Sequence, residues 1–234
     1  MFKQIYFFLF LTLWPLCALT IAPCVMAGTF RDDFEDGNLD GWRQEFPFEQ
    51  KPTLWNIVDG ELECERWDWN STILITGEPE WRDYTIEYDV KLIEDLGLGD
   101  VDFIARYKSP VGTHLIYICF GDAFGIPAAF AQRFPGDVRT IKPFDPLDLT
   151  KWYHLKLEVK DKNFNLWLNG KIVLEHQDDV VKDGAVGIGL ANYTARFDNV
   201  EISGADVPDV TPPTWKSHPV HPRGKLTTTW GEIK

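Results

Sequence analysis

Five acidic side chains, Asp32, Asp33, Glu35, Asp36 and Asp40, are packed into the stretch DDFEDGNLDGW at residues 32 to 42. Carboxylates interleaved with Gly37, Asn38 and Gly41 can form a solvated turn, supply acid and base groups, or offer the roughly six to eight oxygens that a calcium ion takes. Phe34, Leu39 and Trp42 are the apolar anchors available to it. A second acidic pair, Glu87 and Asp89, sits in YTIEYDVKL. Retaining glycoside hydrolysis needs two carboxyls about 5–5.5 Å apart. The next acid, Glu94, falls on the opposite face of a regular strand, so Glu87 and Asp89 read as solvent-facing acids. The stretch ERWDWNS puts Trp67 and Trp69 on one face if extended, with Asp68 and Asn70 beside them. Flat aromatic faces next to polar groups suit stacking on a sugar ring, whereas the plainer reading has them capping the core. Trp167, Tyr107, Gln132 and Arg133 are further candidates of that kind. The sequence carries no nucleophile-elbow pattern, phosphate loop or His-x-x-x-His pair. His218 and His221 make a weak metal pair.

The elements that must position these groups are short strands. In YTIEYDVKL, Tyr84, Ile86, Tyr88, Val90 and Leu92 alternate with Thr85, Glu87, Asp89 and Lys91, which predicts one buried and one wet face. WYHLKLEVK repeats the pattern with Tyr153, Leu155, Leu157 and Val159 inside. Asn169-Gly170 between two apolar runs predicts a two-residue hairpin in which Leu168 opposes Lys171 and Trp167 opposes Ile172. Further strands are expected at 54–58, 61–65, 72–76, 101–108, 114–120, 126–134, 185–191 and 195–202. About a dozen short strands and no amphipathic helix predict an all-β, two-sheet antiparallel sandwich of jelly-roll size.

The ends of the chain read differently. Lys3 precedes an uncharged apolar run from Ile5 to Met26, the pattern of a secretory signal over residues 1–27. An uncleaved anchor is the rival reading. With the signal removed, no membrane segment is expected and the location is secreted or extracytoplasmic. Removing it takes away Lys3 and no acid, so the body is one unit more negative than the −13 of the whole chain. That charge opposes nucleic-acid binding and is compatible with neutral polysaccharide or divalent cations. Cys64 and Cys119 are the cysteines of the body. In an exported chain they could be bridged, or they could be two buried thiols. The body is expected at 28–204. Residues 205–234, rich in proline from Pro208 to Pro222, are expected to form an extended tail that is flexible or laid on another surface.

FEDGNLDGW, LWNIVDGELE, WYHLKLEVKDKNFNLWLNGKIV and GAVGIGLANYTARFDNVEI follow one another in order across the body. In this succession the chain resembles the concanavalin A-like lectin and glucanase jelly rolls. More narrowly it resembles the laminin-G-like and 3-keto-disaccharide-hydrolase-like (DUF1080) domains. The resemblance implies carbohydrate, a polysaccharide or glycan, as the ligand class, with binding or adhesion rather than turnover. Glycoside hydrolysis and a structural docking role are the alternatives. It also implies that Arg106 and Tyr117, on neighbouring strands, lie near the pocket. In such sandwiches the first and last strands lie side by side, and some hold calcium where they meet. A structural Ca2+ is therefore expected to bridge Asp33 or Glu35 and the Asp36 turn to Asp198.

Overall fold

A computed structural model describes residues 27–45, 55–66, 71–108, 114–136 and 139–215. Among them are thirteen strands: β1 (Gly28–Asp32), β2 (Arg43–Glu45), β3 (Trp55–Val58), β4 (Glu61–Glu65), β5 (Thr72–Thr76), β6 (Tyr84–Lys108), β7 (His114–Gly121), β8 (Ala128–Phe134), β9 (Arg139–Pro143), β10 (Trp152–Lys160), β11 (Asn163–Leu168), β12 (Lys171–Gln177) and β13 (Ala185–Gly204). The described residues include no helix long and apolar enough to cross a membrane.

The architecture is a two-layer antiparallel jelly-roll sandwich organised by two long strands. β6 and β13 pair along nearly their full lengths, with register breaks at Ala191/Tyr193 and Thr194/Ala195. Their bend around Gly97 and Asn192, both at positive φ, carries the pair from one layer into the other. The first layer runs β12, β11, β10, the first half of β6 and the second half of β13. The second layer runs β9, β8, β7, the second half of β6, the first half of β13, then β5 and β2. The free edge of β13 is taken in succession by β5, β4 and β1.

Period-two alternation holds where it was expected. Tyr84, Ile86, Tyr88, Val90 and Leu92 are buried and their neighbours are half-exposed. The hairpin register is the one predicted, with Leu168 opposite Lys171 and Trp167 opposite Ile172. The inner faces meet in a core where the Tyr88 and Phe103 rings lie 4.5 Å apart and Phe197 packs edge-on at 5.6 Å. Burial of each such side chain contributes about 1.5–3 kcal/mol. The expected strands 101–108, 185–191 and 195–202 are parts of β6 and β13.

Cys64 and Cys119 are both buried and unbridged. Cys64 belongs to the core between the layers and Cys119 to the far face of the second layer. The first residues after the body lie along β1: Val210 bridges Phe30 in parallel, Arg31 N donates to Val210 O at 2.7 Å, and Arg31 stacks over Trp215 at 5.7 Å. The segments 1–26 and 216–234, with the signal-like run, His218 and His221, lie outside the described residues.

Candidate functional site

The face of the second layer that points away from the core is the one where ligand-type groups gather. On β13 the successive positions on this face are Ala185, Gly187, Gly189 and Ala191, all without a side chain beyond Cβ. Larger groups rise on both sides: Ile73 and Ile75 from β5, and Asp102, Ile104 and Tyr107 from β6. Beyond β6 stand Tyr117 and Cys119 on β7 and Phe130 on β8. This line of small residues flanked by large ones is a filled trough: Ile73, Ile75, Ile104, Tyr107 and Cys119 are buried in a second apolar cluster, and Ile75 Cδ1 and Ile73 Cγ2 would stand 2.7 and 3.3 Å from a Cβ at Gly187 and Gly189, respectively. Polar groups mark its margins. Tyr107 donates its hydroxyl to Glu45 at 3.2 Å, and Arg43 pairs with Glu45 at 3.5 Å. Gln132 lies opposite both Tyr117 and Arg139 in register, and Arg139 covers the Phe124 ring at 5.2 Å.

At one end of the trough lie Asp100, Asp102 and Cys119, with ligand atoms all within 4.8 Å of one another. Burial pushes both carboxyls above the usual range, and the Asp102 charge raises Asp100 further. Burial also pushes the Cys119 thiol well up. Sequence reasoning missed this group. Its signal was two acids at alternating positions, Asp100 and Asp102, inside an otherwise apolar run.

Of the residues singled out above, Tyr117 lies on the trough face beside Gln132. Trp67 and Trp69 lie outside the described residues. Arg106, expected near the pocket, is turned away from it. A bulge between Ala105 and Lys108 puts Arg106 at φ 52° and gives Tyr107 its place on the outer face. The guanidinium is buried, donates to the carbonyls of Val181 and Asp161, and lies 5.0 Å from the Phe164 ring centre. Arg133 projects to the opposite side from Gln132 and pairs with buried Asp178 at 3.2 Å. Trp167 is on the outer face of the first layer, with Lys156 Nζ 5.8 Å from its ring centre.

The acidic turn is organised by its own backbone. Asp32 accepts from Phe34 N and from Trp42 Nε1, both at 2.8 Å, and burial raises its pKa to about 6. Asp33 accepts from Thr214 Oγ1 at 2.8 Å, and Asp36 from Asn38 N at 3.1 Å. Asp198 accepts from Asn199 N at 2.7 Å, and the Glu35 carboxylate leans on the Gly60 turn. These four, Asp33, Glu35, Asp36 and Asp198, are not gathered as an ion would need. Among the described residues three metal-binding side chains converge only at Asp100, Asp102 and Cys119. Asp33 and Asp36 take backbone amides two residues on in Asx turns, from Glu35 N at 3.4 Å and Asn38 N at 3.1 Å.

Glu87 and Asp89 do lie on one outer face, with His154 between them. Its Nδ1 is 3.0 Å from Asp89 and its Nε2 3.6 Å from Glu87, while Asn199 Nδ2 donates to Asp89 at 2.8 Å. The hydrogen bonds to Asp89 and Glu87 raise the His154 pKa to about 9, and His154 in turn lowers that of Glu87. A carboxyl held ionised by an imidazolium is a poor general acid. The raised imidazole pKa means the folded state holds this proton more tightly than the unfolded chain. Its stabilisation is full below about pH 6.5 and is lost as pH rises through 9. Since His154 is 37% exposed, screening reduces the effect to roughly 1 kcal/mol. Unfolding free energies from urea denaturation between pH 6 and 10 should fall by that amount in the native protein, and this component of the fall should be missing in His154→Gln.

No family model matches the chain. The levanase of Bacillus subtilis (strain 168) is 28% identical over 161 residues, 66% of this chain and 23% of the levanase, so the chain spans about a quarter of that relative's length. Carbohydrate-binding module CBM66 from Bacillus subtilis superposes with a TM-score of 0.56 at 20% identity, covering 70% of this chain and 96% of the module. A Bacillus subtilis protein of unknown function with a galectin-like fold gives 0.57 at 15% identity, covering 74% and 94%. Domain 4 of AbnA, an extracellular arabinanase from Geobacillus stearothermophilus solved with arabinotriose, gives 0.52 at 14%, covering 76% and 92%. At these identities the likenesses assign the fold: the chain is a jelly-roll β-sandwich of the architecture found in carbohydrate-binding modules.

Proposed function

We propose that this chain is an exported carbohydrate-binding module of concanavalin A-like kinship, which holds a neutral polysaccharide at the margin of the second layer's outer face, beside Phe124, Gln132 and Arg139, without cleaving it. The observation that carries the reading is the extent of the fold match. Nearly the whole of a carbohydrate-binding module is covered, and the 28% relation to a levanase runs over a quarter-length piece, the size of an appended module rather than of a complete enzyme. The margin of this face supplies what a sugar needs: the half-buried Phe124 ring beside the polar groups of Gln132, Glu45 and exposed Arg139. The acidic surface favours uncharged chains over anionic ones.

Affinity electrophoresis of the full chain through gels containing levan, arabinan or cellulose tests this. Retardation is expected with levan or arabinan, with no release of reducing sugar. Replacing Gln132 and Arg139 by alanine removes hydrogen-bonding groups at the margin and should weaken binding about tenfold. Trp167→Ala, on the other layer, should leave it unchanged. Equal mobility in all gels, sugar release by the native chain, or binding lost only with Trp167 would each overturn the reading.

A further inference from the structure

Asp102 on β6 stands directly opposite Cys119 on β7, and Asp100 precedes it on the same face, opposite Gly121. Alternate positions on one strand and the facing position on the next are close enough for three side chains to share one ion. Asp102 is 0% exposed, and neither of its carboxylate oxygens makes a hydrogen bond of good geometry; its neighbouring donors are the Cys119 thiol, Ser71 and Asp100, none well aligned. Asp100 receives the Ser71 hydroxyl at 3.5 Å, the limit of such a bond. A buried carboxylate whose only neighbouring donors are a thiol, a hydroxyl and a second acid is costly unless a cation or a shared proton compensates it. Two glycines shape the space. A Cβ at Gly189 would lie 2.8 Å from Asp102 Oδ2, and one at Gly121 would lie 2.8 Å from Asp100 Cβ.

We propose that Asp100, Asp102 and Cys119 bind a divalent transition-metal ion of the zinc class, with a fourth position open to Ser71 or water. The thiolate sets the class, since calcium and magnesium take oxygen ligands whereas zinc accepts sulfur and carboxylate together. Tetrahedral zinc, at about 2.1 Å from oxygen and 2.3 Å from sulfur, places its ligands about 3.4–3.6 Å apart. The cluster, within 4.8 Å, reaches that by contracting about 1 Å. Two carboxylates and a thiolate hold three negative charges, which a divalent ion reduces to one. The ion ties β6 to β7 at the end of the trough, and this role is independent of the polysaccharide reading.

The test uses the full chain, reduced, stripped with chelator and dialysed, then titrated with Zn2+ or Co2+. One ion per chain is expected. Co2+ should produce a thiolate-to-metal absorption band, and Zn2+ should raise Tm by several degrees. Cys119→Ser should abolish the band and weaken Zn2+ about tenfold or more, and Asp102→Asn should remove the Tm response. Asp102→Asn takes a charge out of the interior, so it is expected to fold. Absence of the band with Tm unmoved by Zn2+ would overturn the proposal in favour of a proton shared by the two carboxyls. So would Zn2+ binding undiminished in Asp102→Asn, or stabilisation by Ca2+ alone. None of these readouts involves sugar.

Discussion

Replacing Arg106 by methionine is expected to destabilise the protein by about 3–5 kcal/mol, since two backbone carbonyls lose their donors at about 1–3 kcal/mol each and the packing over Phe164 is lost as well. The guanidinium is 1% exposed and closes one end of the sandwich. It donates to Val181 O at 2.5 Å and to Asp161 O, lies 4.0 Å from the Asp83 carboxylate, and covers the Phe164 ring. Methionine fills much of the volume but leaves both carbonyls without donors. Lysine keeps the charge and offers a single point donor in place of the planar fork, so Arg106→Lys should recover only part of the loss. Urea denaturation measures both. Polysaccharide affinity per folded molecule should be unchanged in Arg106→Lys, because the side chain points away from the trough. A stability loss below about 1 kcal/mol, the scale of a surface pair, would contradict the clamp.

Gly187→Ala is the second large effect. Gly187 lies in the central strand between β5 and β6, and a Cβ there would stand 2.2 Å from the Leu74 carbonyl oxygen and 3.0 Å from its carbon. The obstacle is backbone in a hydrogen-bonded ladder, which no rotamer change relieves. The strands must separate, at about 3 kcal/mol, the upper part of the usual overpacking range. Gly170→Ala is the comparison. Nothing lies within 4 Å of its Cβ, and φ is +77°, so the strain is that of a left-handed alanine, about 1 kcal/mol. Equal thermal shifts for the two variants would show that the close approach at Gly187 is relaxed cheaply.

Much of the first layer was legible in the chain because its determinants are local. The alternation from Tyr84 to Leu92 sets which side chains are buried, and Asn169-Gly170 sets the register of the hairpin through the backbone of its turn. The trough was written in the run from Ala185 to Ala191, but small residues mark a floor only once β5 and β6 are known to flank that strand.

Arg106 shows where local reasoning stops. Spacing on β6 puts it on the face of Asp102 and Ile104, and one extra residue in the ladder turns it to the other side and hands its place to Tyr107. The acidic turn shows the same limit for charge. Five carboxylates in eleven residues suggest an ion, yet the Phe34 amide and the Trp42 indole take up Asp32, and Asp198 answers to Asn199. Asp100 and Asp102 meet Cys119 only because β6 pairs with β7 in one particular register. The sequence by itself determined the alternating strands, the hairpin and the β class, since those follow from period two and turn chemistry. The tertiary structure decided which acids are buried together and which way Arg106 points, since pairing partners and bulges are set by contacts far apart in the chain.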